Sequence, residues 1–416
     1  MTSTQGALDG LRIIEIAAIG PVPMCGMLLA DQGADVVRID RLEASGLGVA
    51  MAPRFDVNAR GRRSLALDLK QPAGRDMLLR LLDSADVLLE GLRPGAMERL
   101  GLGPEECMAR QPRLVYGRMT GYGQTGPLAQ TAGHDLNYLA LTGALHAIGA
   151  ADGHGGPGGP DGLASASASK PIPPLNLVAD YGGGALYLAF GVMAALHERQ
   201  RSGHGQVVDA AMVDGAASLA SIFFGLQAAG QWDDTRGTNL LDGGAPFYDT
   251  YATADGRHVA LAPLEPKFFA QFAAMVGLDS RFVQRQYDRR LWPEMRAAIA
   301  ALLVQKTRDE WAALMQASDA CLVPVLSFAE APLHAHAAAR GAFIDIGGVV
   351  QPAPAPRFSR SAAVRPGPAP EPGAHTRELL AEAGLDAAQI DALLAAGVAL
   401  QATATPPSVP SAPDPP

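Results

Sequence analysis

Cysteine is scarce in this chain of 416 residues. Its three cysteines, Cys25, Cys107 and Cys321, are far apart and show no zinc or redox spacing. So sparse and odd a set excludes a disulfide framework and fits a reducing cytoplasm. Positive charge is also short. Against 42 Asp and Glu stand 33 Lys and Arg, a net charge of −9 that argues against a nucleic-acid partner. The opening MTSTQGALDG lacks the basic and apolar parts of a signal peptide. No uninterrupted apolar run reaches the length of a membrane span; the stretch 185–196 is closed by His197, Glu198 and Arg199. The glycines of 20–34 do not match GxGxxG, so no nicotinamide fold is read from them. His334 and His336, two positions apart on an expected helix, fall on different faces and make no metal pair. No internal repeat is found.

What is present is apolar sequence. Hydrophobic residues make up 48% and charged residues 18%, enough for a sizeable core. The length suggests two or three domains. LRIIEIA (11–17) and DVVRIDR (35–41) read as strands on either side of a helix over 20–34. A strand over 64–69, a helix over 71–85 and strands over 86–92 and 115–123 continue the alternation. The fold expected from this order is α/β, with a doubly wound parallel-sheet large domain. FYDTYAT and HVALAP, joined by ADGR, read as a hairpin and open a smaller α+β domain. The expected division is 1–224 for the large domain and 225–330 for the small one. Residues 331–400 return to the large domain and end in C-terminal helices within 376–398. The Gly- and Ser-rich stretch 149–170 reads as a mobile loop, and 401–416 as a disordered tail.

Two stretches carry the chemistry. AQTAGHDLNYLA (129–140) sets His134 beside Asp135, and LNLVADYGGG (175–184) sets Asp180 ahead of three glycines and an apolar helix. Asp180 is expected near the start of that helix, with its own backbone N–H unpaired. A histidine and a carboxylate on opposite sides of one carbon would transfer a proton in both directions. Each residue also has an ordinary reading, an N-cap for Asp180 and a satisfied loop hydrogen-bonder for His134. Arg41 closes a strand, where parallel sheets bind ligands, and is as readily a solvated strand-end charge. Arg60, Arg62, Arg63 and Lys70 form a local cationic cluster suited to a polyphosphate.

GADVVRIDR, LALDLK, RPGAMERLGLGPEE, GYGQTGP, AGHDLNYLAL, PLNLVADYGGG, GQVVDAAMVDG, LDGGAPFYDTY and DACLVPVL add up to one pattern. Over about residues 8–365 the chain resembles the class III CoA-transferase superfamily, and within it the α-methylacyl-CoA racemase branch. GHD at 133–135, where transferases of the superfamily usually carry GFD or GYD, favours that branch. The resemblance implies interconversion of (2R)- and (2S)-2-methylacyl-CoA thioesters through an enolate. His134 and Asp180 would be the two bases, with Asp135 and Glu265 hydrogen-bonding and tuning them. It implies contacts to CoA from Arg41, from the strand end Leu67, Asp68, Leu69 and Lys70, and from Arg99, Gly133 and Tyr138. It implies an interlocked homodimer in which Glu265 serves the neighbouring subunit's site. No metal, membrane or separate cofactor is implied; CoA is part of the substrate. The alternative within the superfamily is an acyl-CoA:carboxylate CoA-transferase, with Asp180 as nucleophile.

Overall fold

The computed structural model describes residues 6–43, 46, 48–150, 170–362 and 364–403. The expected loop 149–170 and tail 401–416 fall mostly outside them. Two compact units are present. One comprises 1–138, 176–219 and 341–416, the other 139–175 and 220–340, so the segment after Tyr138 groups with the smaller unit.

Strands β1 (Arg12–Ile16), β2 (Asp35–Asp40), β3 (Arg62–Leu67), β4 (Val87–Glu90), β5 (Val115–Thr120) and β6 (Val207–Ala211) belong to one sheet. Strands β7 (Asp249–Ala252), β8 (His258–Leu261) and β9 (Leu322–Pro324) form a second, and β10 (Phe343–Ile346) and β11 (Val349–Pro352) a hairpin. Strand β12 (Ala399–Leu400) returns to the first sheet, whose order is β12-β3-β2-β1-β4-β5-β6. The first six strands run parallel and β12 runs antiparallel to β3. Ile13, Ile14, Val37, Leu65, Val87, Leu88 and Leu89 are each fully inaccessible in this sheet, which explains their near-continuous apolar, β-branched runs. The order reverses at β1, with β2 and β3 on one side and β4 to β6 on the other. A doubly wound sheet opens a crevice at that point, outside the carboxyl ends of its strands.

The second unit packs Phe247, Phe269, Phe272, Phe282, Trp292, Met295 and Trp311 between its antiparallel sheet and the helices Pro266–Val276, Trp292–Leu303 and Arg308–Met315. Thr307 and Glu310 close a capping box at the last of these.

The basic loop differs from the sequence expectation. Arg60 is buried against Asp31 at 2.5 Å, Arg62 against Glu15 at 3.1 Å, and Arg63 pairs with Asp35, Glu378 and Glu382. Arg60 and Arg62 are consumed inside the fold, because a buried carboxylate left unpaired would cost far more than the pair gains, and Arg63 is spent on three partly exposed carboxylates. They form no phosphate patch. The strand also starts earlier than read, at Arg62, so residues 68–70 form the turn after it.

Candidate active site

The helical chain around Asp180 starts as a π-turn, Leu177–Ala185, and continues as the α-helix Leu186–Ser202. Its glycines are packing residues. A Cβ on Gly182 would lie 3.0 Å from Leu219 Cδ1, on Gly183 2.9 Å from Ala216 Cα, and on Gly184 3.1 Å from Pro21 Cβ. The turn is thus pressed against the helices Met212–Leu219 and Pro21–Asp31, closer than side chains allow. π-Turns widen the backbone by one residue and are frequent at functional sites. Together the two segments make a helical stretch of 26 residues with a mean hydropathy of 1.3 in its richest window, which by length and composition alone could cross a membrane. One face of the stretch covers the sheet, with Leu188 against Gly117 and Gly191 against Val208.

Asp180 sits at the crevice. A Cβ on Gly20, the residue that starts the helix after β1, would lie 3.3 Å from Asp180 Oδ2. Gly20 takes φ 72°, a conformation that favours glycine, and leaves room for the carboxylate. Asn176 Nδ2 donates to the same oxygen at 3.3 Å. Burial pushes the Asp180 carboxyl above the usual carboxylate range and the Asp135 charge adds to that, while the Asn176 hydrogen bond and the nearby His134 pull the other way.

The expectation of a free N–H on Asp180 is overturned. Asp135 Oδ2 accepts from Asp180 N at 2.7 Å and from Ala179 N at 2.8 Å. A carboxylate 45 residues away in the chain caps the turn in place of a local residue. Asp135 is 4% exposed, and its other oxygen has no partner among the described residues. No hydrogen bond from Asp135 to the His134 ring is present among the described residues; its bonds go to the Asp180 turn.

His134 is exposed, directly ahead of the short helix Asp135–Ala140. Its N–H donates to Asn137 Oδ1 at 3.1 Å. On its other side Gly133 accepts from the Tyr138 hydroxyl. Tyr138 is 7% exposed and meets Tyr122 edge to face, 4.9 Å between ring centroids. Burial first, then the charges of Tyr122 and Asp180, push its hydroxyl up to about 12. Tyr138, expected as a CoA contact, has its hydroxyl on the loop that carries His134.

The other expected CoA residues line the carboxyl edge of the sheet. Arg41 is exposed just after β2 and Lys70 just after β3, while Leu67 is buried and Leu69 packs on the core. Asp68 forms the turn itself, accepting from Lys70 N and from Gln71 Nε2, each at 3.0 Å. Arg99 is exposed at the end of the short helix that follows β4. Arg93 is also exposed after β4, and the rule that singles out Arg41 applies equally to it. Among the described residues, none of Arg41, Lys70, Arg93 and Arg99 shows an ion-pair partner, in contrast to Arg60, Arg62 and Arg63. Glu265 lies in the other unit, exposed at the start of the helix Pro266–Val276, where its charge raises the Tyr287 hydroxyl and the Cys321 thiol after burial has done so.

Residues 8–376 match CoA-transferase family III. The chain belongs to that family. It is 45% identical over 385 residues to the alpha-methylacyl-CoA racemase of Mus musculus, covering 92% of this chain and 95% of the mouse protein. The racemase of Homo sapiens is 43% identical over 389 residues, with the same two coverages of 92% and 95%. The crystal structure of a CaiB/BaiF family protein from Brucella suis superposes with a TM-score of 0.74 at 25% identity, over 91% of this chain and 100% of that one.

Proposed function

We propose that the protein racemises 2-methylacyl-CoA thioesters by two-base proton transfer at the α-carbon. The observation that carries this is His134 set beside Asp135, whose carboxylate holds the Asp180 turn at the carboxyl end of β1. The identity to two named racemases supports the same chemistry. An α-proton is far less acidic than any side chain, so a base must touch it and the enolate oxygen must be met by donors. With the N–H groups of Ala179 and Asp180 already bonded, those of Asp135 and Leu136, which show no acceptor among the described residues, would serve as donors. Asp180 in its low-polarity setting is the better base for it, and His134 takes or returns the proton on the other face. Arg41, Lys70, Arg93 and Arg99 would hold the CoA phosphates away from the reacting carbon and keep it in register.

A homodimer is part of this reading. The helix Leu186–Ser202 exposes Leu186 at 50%, Phe190 at 74% and Met193 at 38%, one apolar face at i, i+4, i+7 spacing. Glu265 would serve the partner's site. Cytoplasmic action without a separate cofactor completes the proposal.

The test uses a single 2R epimer of a 2-methylacyl-CoA with no carboxylic acid added. Appearance of the 2S epimer is expected. The transferase reading, which membership of the family keeps open, requires an acceptor acid and an acyl-Asp180 anhydride. Trapping that adduct with hydroxylamine, with no 2S epimer formed, would decide for the transferase.

A further inference from the structure

We infer that strand β12, with Thr376 and Gln71 as its two anchors, is a clasp that positions the 67–70 turn and so sets the grip on the CoA portion of the substrate. The inference rests on the reading of that turn as a CoA contact. The segment matched by the family ends at residue 376, and β12 lies beyond it. Without β12, β3 would be an edge strand whose last residues have no outer partner. With it, Leu67 pairs with Ala399 and Ala66 with Leu400, and Asp68 N donates to Val398 O at 2.9 Å.

Two side chains tie the arrangement together. The Thr376 hydroxyl, fully buried, accepts from Ala66 N at 3.2 Å and donates to Leu400 O at 2.6 Å. It bridges β3 and β12 through one oxygen. The Gln71 amide donates to Asp68 Oδ2 and to Gly397 O, each at 3.0 Å. Asp68 in turn holds Lys70 N. The backbone from which Lys70 projects therefore hangs on bonds made by residues 397–400. Leu379, Leu380 and Ile390 sink the two C-terminal helices into the core of the large sheet, so the clasp is fixed at its far end. A lysine is a point charge on a flexible stem, and its use against a phosphate depends on where its backbone is held.

The test measures the Kd of CoA itself by calorimetry on the full-length protein, together with kcat and KM. Thr376→Val and Gln71→Leu are each expected to weaken CoA and to raise KM by about tenfold while kcat stays within about twofold. Thr376→Ser, which restores the hydroxyl, should return both to wild-type values. Amide exchange at Asp68 and Leu69 should quicken in the first two variants. Lys70→Ala is the control on the underlying reading. If it leaves the affinity for CoA unchanged, the turn is no contact and the clasp has no such role. If Lys70→Ala weakens CoA while Thr376→Val and Gln71→Leu bind it as wild type does, the clasp alone is overturned. Gln71→Leu alters a half-buried surface residue, so the test stands even if Thr376→Val fails to fold.

Discussion

Asp135 Oδ2 accepts the backbone N–H of Asp180 at 2.7 Å, and this bond joins the two stretches of chain that carry the proposed chemistry. Because the same oxygen also holds Ala179 N, the carboxylate fixes a π-turn that no local residue caps. Asp135→Ala leaves two N–H groups without their acceptor, at a cost of about 1.5–3 kcal/mol for bonds to a charged group. A lower Tm in thermal unfolding is expected, and with the turn loosened, kcat about 100-fold below wild type. Asp135→Asn separates geometry from charge. Its amide oxygen can still accept, but the negative charge facing Asp180 is gone.

The acid limb of the pH–rate profile follows from the same contact. Asp180 must be ionised to act as a base, and burial together with Asp135 raises its pKa. The limb should lie above the ordinary carboxylate range. In Asp135→Asn it should move to lower pH, because burial remains and the neighbouring charge does not. A limb that stays in place would remove Asp135 from the electrostatics of the site.

Asp180 should also cost the protein stability. A carboxyl whose folded pKa is raised binds its proton more tightly when folded, so stability falls as pH rises from the unfolded pKa through the folded one. Above that window the ionised group is a burden. Asp180→Asn should therefore raise Tm at neutral pH while abolishing activity. The gain should vanish in acid, where the wild-type carboxyl is protonated. Thermal melts of both proteins across pH check the sign.

The glycine packing behind the turn is tested by Gly183→Ala and Gly215→Ala. Each added methyl meets backbone, Ala216 in the first case and Gly183 in the second. Backbone cannot step aside as a flexible side chain can, so a loss of about 1–3 kcal/mol is expected. Gly183→Ala should lower kcat as well, because the displaced turn carries Asp180. Urea unfolding with parallel kinetics would detect both effects.

Glu265 provides a test of the dimer. If it serves the neighbouring subunit, a mixed dimer of His134→Ala and Glu265→Gln subunits rebuilds one intact site out of two. From two impaired parents, random reassortment should recover about a quarter of wild-type activity in the mixture, and about half in the purified mixed dimer. Sites completed within one chain would give no recovery. Co-expression with two different tags, followed by an assay of the doubly purified dimer, distinguishes the two arrangements.

The parts of the fold that could be read from the chain are those whose cause is local. The β-branched runs of β1 and β2, the Thr307 capping box and the turn of the β7–β8 hairpin all carry their signals within a few residues. What was misread depends on distant partners. Arg60, Arg62 and Arg63 look like a cationic patch until Asp31, Glu15 and Asp35 arrive from the preceding helix and strands. The glycines after Asp180 look like a loose helix start. Only the approach of Gly215 and Ala216, some thirty residues on, shows why side chains are excluded. The cap on the turn comes from Asp135, which no spacing rule connects to Asp180. Strand β12 has two residues and no pattern to read. His134, Asp135 and Asp180 are singled out by neighbouring motifs, yet the bonds from Asp135 to the Asp180 turn show only in the fold.

The most direct measurement follows the α-proton of each pure epimer of a 2-methylacyl-CoA in D₂O by NMR, with wild-type protein and with His134→Ala and Asp180→Ala. The wild type should wash deuterium into both epimers and racemise them. Each single variant should lose racemisation by about 100-fold or more, and should retain exchange, if any, in one epimer only, the opposite one for the two variants. Racemisation at the wild-type rate in both variants would contradict the two-base site.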